Sequence, residues 1–134
     1  MNLLKPYLII IRSLLFILFD SIALWAAKVP KHNQLKLILL IRQDRIGDFI
    51  LWLDTAKEYR KYYPPENYII ILIGNEIWSD LAKGLPFWDE VLPVNVEAFK
   101  TLSFYRWKIL RKVRSIGADI AIQPTFSREF YHGD

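Results

Sequence analysis

The chain has 134 residues, 53% of them hydrophobic and 15% aromatic, which is enough for one domain with its own core and excludes a disordered segment. A formal charge of +4 and an isoelectric point near 9.3 favour anionic partners: phosphorylated sugars, acidic lipid or nucleic acid. With no cysteine there is neither a disulfide framework nor a thiolate metal site, and His32 and His132 stand too far apart in sequence to suggest zinc.

Residues 7–27 are almost all apolar, interrupted by Arg12, Ser13, Asp20 and Ser21. On a 3.6-residue helix these fall, with Lys5 and Lys28, within roughly half the circumference. The opposite half, Tyr7, Ile11, Leu14, Leu15, Leu18, Ile22 and Trp25, is wholly apolar, while Ile9, Phe16, Ile17 and Leu24 share the polar half. The pattern predicts an amphipathic helix within residues 1–29 that lies in the plane of a membrane interface. Packing on the domain or on a partner is the second reading. A transmembrane span is the third, against which Arg12 and Asp20 count. A cleaved signal peptide fits poorly, because charges interrupt its apolar core and Trp25 stands where a small residue is needed. Residues 29–34 form a polar connector in which Pro30 is expected to end the helix.

Residues 35–52 organise the rest of the chain. Leu37-Ile38-Leu39-Leu40-Ile41 is a short apolar run without Gly or Pro, the signature of a buried parallel strand. The chain then breaks at Arg42-Gln43-Asp44-Arg45-Ile46-Gly47-Asp48 and resumes with helical spacing. Gly47 is expected to allow a sharp turn and Asp48 to cap the helix that follows. Phe49, Trp52, Leu53, Ala56, Tyr59 and Tyr63 share that helix's apolar face, and Pro64-Pro65 stops it. Residues 68–73 read as a second buried strand and residues 76–83 as a short helix closed by Gly84. Residues 90–94 read as a weaker strand, since Pro93 lacks a donor. Residues 103–116 are helical, with Ser103 as N-cap, Gly117 as C-terminal signal and Ile109, Leu110, Val113 and Ile116 as the buried stripe. Six basic residues and no acidic one lie between Ala98 and Ala118. Residues 119–123 form a last strand. Alternating strands and helices make the class α/β with a parallel sheet, placing the loop after the first strand where such sheets bind ligands.

That loop is neither a dinucleotide fingerprint, which needs three spaced glycines, nor a phosphate loop, which needs Gly-Lys-Ser/Thr. Asp44 and Asp48 could share a metal, but no other ligand cluster accompanies them. From spacing alone Asp48 is a helix cap or a general base. Arg42 and Arg45 either contact a phosphate or carboxylate on a ligand or pair with Asp44 or Asp54. Lys108, Arg111 and Arg114 form a solvated face or are drawn to anionic headgroups. Ser127 and Arg128 follow a strand end and either line the cleft with Asp48 or belong to a solvated loop.

The strand 37–41 running into Arg42-Gln43-Asp44-Arg45-Ile46-Gly47-Asp48-Phe49-Ile50-Leu51-Trp52 resembles the opening motif of family 9 glycosyltransferases, the heptosyltransferases of lipopolysaccharide assembly and their relatives. Three further stretches are similar in the same order: the strand 68–73 with Asn75-Glu76-Ile77-Trp78, then Trp88-Asp89-Glu90-Val91-Leu92-Pro93, then residues 119–128. Together they cover residues 35–134. The resemblance implies a Rossmann-like acceptor-binding domain, the amino-terminal half of a GT-B architecture, with Asp48 as catalytic base; Arg45, Gly47, Ser127 and Arg128 are then the residues expected from their loop positions at the acceptor. It implies inversion at the anomeric carbon with no required metal or other cofactor, a nucleotide-sugar donor and a lipid-linked saccharide acceptor. The setting is then the anionic inner face of the cytoplasmic membrane, with the protein peripheral to it. A carboxy-terminal donor domain is also implied. It has no counterpart in these residues, which alone are therefore expected not to transfer sugar. The alternative is a non-catalytic, membrane-associated module for glycan binding or assembly. Nucleic-acid binding rests on charge alone, lacks a motif and is not expected.

Overall fold

The computed structural model describes residues 4–28 and 34–124. After a first helix, α1 (Lys5–Trp25), the chain alternates: β1 (Lys36–Arg42), α2 (Ile46–Tyr62), β2 (Tyr68–Asn75), α3 (Glu76–Lys83), β3 (Glu90–Val94), α4 (Val96–Phe99), α5 (Phe104–Ile116) and β4 (Ile120–Ile122). The four strands form one all-parallel sheet in the order β3-β2-β1-β4. The order reverses between β1 and β4, so the carboxyl end of β1 adjoins the crevice such a reversal opens.

Side-chain alternation along the two central strands builds a core on each face of the sheet. Ile38, Leu40, Ile70 and Leu72 meet Phe49, Trp52 and Ala56 of α2, Trp78 and Ala82 of α3, and Trp88. Leu39, Ile71, Ile73, Leu92 and Val94 meet Phe99 of α4 and Ile109 of α5, with Tyr105, Leu110 and Val113 beside them. Burial on both faces is why β1 and β2 read as unbroken apolar runs. Pro93 sits on an edge strand, where its missing donor costs no ladder bond to a further strand.

The caps of α5 follow the sequence. The Ser103 side chain accepts from the Arg106 amide, and Gly117 takes the left-handed conformation at φ 63°. Three expectations are corrected. Asp48 is not a cap: Arg45 holds the N-cap position without a side-chain bond, and Asp48 lies in the first turn. Gly47 has no positive φ, so the turn does not require it, and a Cβ there would meet nothing within 4 Å. Finally, α1 ends at Trp25, ahead of Pro30, which lies outside the described residues.

α1 lies against α5 through Phe16, Ala23 and Asp20. Asp20 takes two hydrogen bonds from the Arg106 guanidinium, at 2.7 Å from Nε and 2.5 Å from Nη2, while Arg106 Nη1 donates to the Phe99 carbonyl at 2.8 Å. The guanidinium lies over the rings of Phe16 and Phe99, 4.8 and 4.4 Å from their centroids, and Arg106 is 1% exposed. A stripe of α1 through Phe16, Asp20 and Ala23 therefore faces the protein, while Arg12, Ile9 and Ile17 of the same half stay exposed. The wholly apolar half, from Tyr7 through Leu14, Leu18 and Ile22 to Trp25, is exposed. By length and composition α1 is also apolar enough to cross a membrane.

Candidate functional site

A crevice of about 610 Å³ opens at the carboxyl ends of β1, β2 and β3. Gln43, Asp44, Arg45 and Asp48 line it from the β1–α2 side, Asn75, Glu76 and Ile77 from the start of α3, and Asn95, Val96, Glu97 and Lys100 from α4. Three strand ends therefore supply one concave, polar site at the carboxyl edge of the sheet, the edge where ligands bind in open parallel sheets, but beside the β1/β4 reversal rather than at it.

Each wall is braced. Asn75 caps α3 by accepting from the Ile77 amide at 3.1 Å, and its Nδ2 donates across to the carbonyls of Gln43 and Asp44, both at 3.4 Å. Trp78 Nε1 donates to the same Asp44 carbonyl at 2.9 Å. Asn95 caps α4 by accepting from the Ala98 amide at 2.9 Å, while its Nδ2 donates to Glu76 Oε1 at 2.7 Å. The short α4 was not legible in the sequence, having too few residues for any period, and Asn95 was its one local signal.

Of the expected site residues, Arg45, Gly47 and Asp48 come together at the start of α2, exposed, with Arg45 and Asp48 on the crevice wall. The Asp48 carboxylate shares its wall with Arg45 and has no ion pair with a described residue. Ser127 and Arg128 lie outside the described residues. Arg42 does not face a ligand. It is buried, paired to Asp44 at 2.7 Å, bonded to the Pro124 carbonyl, within 3.4 Å of the Asp48 carbonyl and 5.2 Å from the Trp52 ring centroid. It ties the first turn of α2 to the end of β4.

The site also holds residues that sequence reasoning passed over. Gln43 is 9% exposed, and its Oε1 makes no hydrogen bond to a described residue. An unpaired buried acceptor costs about 1–3 kcal/mol. Only the position of Gln43 just past a strand end pointed to it. The lining carries four carboxylates, of Asp44, Asp48, Glu76 and Glu97, against the cations of Arg45 and Lys100, and Lys100 is paired to Glu97 at 3.0 Å. Carboxylates and primary amides accept and donate hydrogen bonds to hydroxyl groups, so this lining suits a polyol better than a polyanion. Among the described residues no group of three or more His, Asp or Glu side chains is arranged to hold a metal ion.

No family model matches the chain, and neither a curated protein nor a solved structure matches it. What defines the molecule is its class: an α/β protein with an all-parallel sheet, a polar crevice at the strand ends and an apolar amino-terminal helix.

Proposed function

We propose that this chain is the acceptor-side unit, Rossmann-like and half of a GT-B architecture, of an inverting glycosyltransferase. It would act on a lipid-linked saccharide, with heptose or a related sugar as the transferred group, at the cytoplasmic face of the inner membrane. The observation that carries this reading is the exposed Asp48 carboxylate on the wall of a crevice otherwise rich in amides and carboxylates. A sugar acceptor in the crevice that Gln43, Asn75 and Asn95 line would present a hydroxyl to Asp48. The carboxylate takes that proton as the acceptor oxygen bonds to the donor's anomeric carbon and the bond to the nucleotide diphosphate breaks, its electron pair leaving with the phosphate oxygen. The donor is held by a second unit, and alignment of the two substrates supplies much of the rate.

The test is nuclear magnetic resonance of the chain titrated with the saccharide part of lipopolysaccharide core, following the side-chain amides of Gln43, Asn75 and Asn95. Selective shifts at these amides, lost in Asn75→Ala but kept in Asp48→Asn, are expected. Shifts spread evenly over the surface, or none, would overturn the acceptor assignment. Saccharide binding in a polypeptide that also carries a donor unit, with turnover indifferent to Asp48, would leave the non-catalytic module as the better reading.

A further inference from the structure

A second concavity, of about 510 Å³, lies away from the strand ends, between the end of α1 and the outer face of α5. Lys28 enters it from the residues following α1, and Lys108, Arg111 and Lys112 enter from α5, beside Phe104 and Trp107. The helical spacing of the α5 residues stacks them on one face, opposite the buried Arg106 and Ile109. None of the four cations is ion-paired to a described carboxylate, and Arg111 lies over the Trp107 ring at 5.7 Å. These cations are gathered around a hollow rather than spread along a ridge.

The surroundings identify the occupant. Trp25, just ahead of the pocket, is 89% exposed, and Phe104 within it is 79% exposed. Trp25 belongs to the apolar half of α1, whose roll is fixed by the Asp20–Arg106 pair. The apolar face of α1, the exposed rings of Trp25 and Phe104 and the basic pocket between α1 and α5 are thus neighbours, the three chemistries that a membrane interface brings together. A soluble polyanion such as nucleic acid would match the charge but would leave the Leu and Ile face of α1 in water.

We infer that the pocket between α1 and α5 binds the phosphate of an anionic phospholipid headgroup, with Trp25 and Phe104 seated at the boundary between headgroups and acyl chains. This rests on the membrane-surface part of the function proposed above and is independent of its sugar chemistry. Guanidinium and ammonium groups supply charge-assisted hydrogen bonds to the phosphate oxygens, and the apolar half of α1 sets the depth at which the pocket meets them.

The experiment is flotation of the whole chain with phosphatidylcholine vesicles, with and without phosphatidylglycerol. Two triple variants are compared: Lys108→Gln/Arg111→Gln/Lys112→Gln in the pocket, and Lys57→Gln/Lys61→Gln/Lys83→Gln on α2 and α3 across the sheet. All six side chains are exposed, so both variants should keep the fold, and circular dichroism checks this. The pocket variant should lose roughly 100-fold in affinity for anionic vesicles, as three basic side chains at a charged surface imply, and retain the binding to neutral vesicles that the α1 face provides. The control should lose far less. Equal losses in the two variants would reduce the effect to net charge and overturn the pocket. Inorganic phosphate held by the pocket without vesicles, and not displaced by anionic vesicles, would reassign the pocket to a soluble anion. Absence of binding to either vesicle would overturn the membrane reading as well, whereas neutral binding without anionic preference would overturn the pocket alone.

Discussion

Asp48 is the third residue of α2, where the helix amides create a positive potential that favours a carboxylate without capping it. Asp48→Asn removes that interaction and should cost at most about 1 kcal/mol of stability. In a polypeptide that carries both acceptor and donor units, the same change should cut turnover by roughly 100-fold or more, the scale of losing a general base. Turnover and unfolding midpoint measured on one preparation separate the two effects, and near-normal turnover in a folded variant removes Asp48 from the mechanism. Gly47 gives a sharper discrimination because the fold does not need it. Its φ is not positive and a Cβ would meet no described atom, so Gly47→Ala should stabilise α2 by up to about 1 kcal/mol. If the backbone is bare so that a sugar can approach, the same methyl group should weaken acceptor binding by about tenfold, the low end of overpacking costs. Stability rising while affinity falls is the expected pair of results; unchanged affinity means that no ligand comes close to Gly47.

At the scale of elements, the crevice wall depends on how α3 meets β2. A Cβ built on Gly74 would lie 2.3 Å from Trp78 Cη2 and 2.4 Å from Cζ3. The indole cannot retreat, being stacked on Phe49 at 3.9 Å and hydrogen-bonded to the Asp44 carbonyl. Gly74→Ala should therefore destabilise by about 3 kcal/mol, the upper part of the range for overpacking a core, and loosen the loop that carries Asp44. Urea unfolding followed by tryptophan fluorescence checks this, and a loss below about 0.5 kcal/mol would show slack that the packing does not suggest. The sequence announced Gly74 only as a strand end; its close approach to a ring four residues ahead was not visible there. The strands were legible because burial on both faces leaves apolar runs with no polar interruption, and α5 because Ser103 and Gly117 mark its ends chemically. Of the crevice lining, the sequence pointed to Arg45 and Asp48, three residues apart in one loop. Gln43, Asn75 and Asn95 come from three strand ends and meet only through the parallel register, which no local pattern encodes.

The whole molecule turns on a contact between residues 86 apart in sequence. Periodicity divides α1 into two halves, and polarity alone would send Asp20, like the exposed Arg12, towards water or headgroups. The buried Arg106 guanidinium decides otherwise, because an ion with 1% exposure needs a counter-charge and Asp20 is the one that reaches it. Asp20→Ala would leave that guanidinium facing an apolar helix with only the Phe99 carbonyl as acceptor. The expected cost is about 3–5 kcal/mol, or the free energy of lifting α1 from α5 if that is smaller. Arg106→Met in the same background removes the stranded charge and puts a flexible thioether between the Phe16 and Phe99 rings. The double variant should therefore recover most of the loss. Unfolding midpoints of the two single variants and the double variant form a thermodynamic cycle, and amide exchange in α1 reports whether the helix has lifted. A single Asp20→Ala variant as stable as the parent, with α1 still protected, would mean that Phe16 and Ala23 alone hold the helix. Its outward apolar half would then be set by packing rather than by the ion pair.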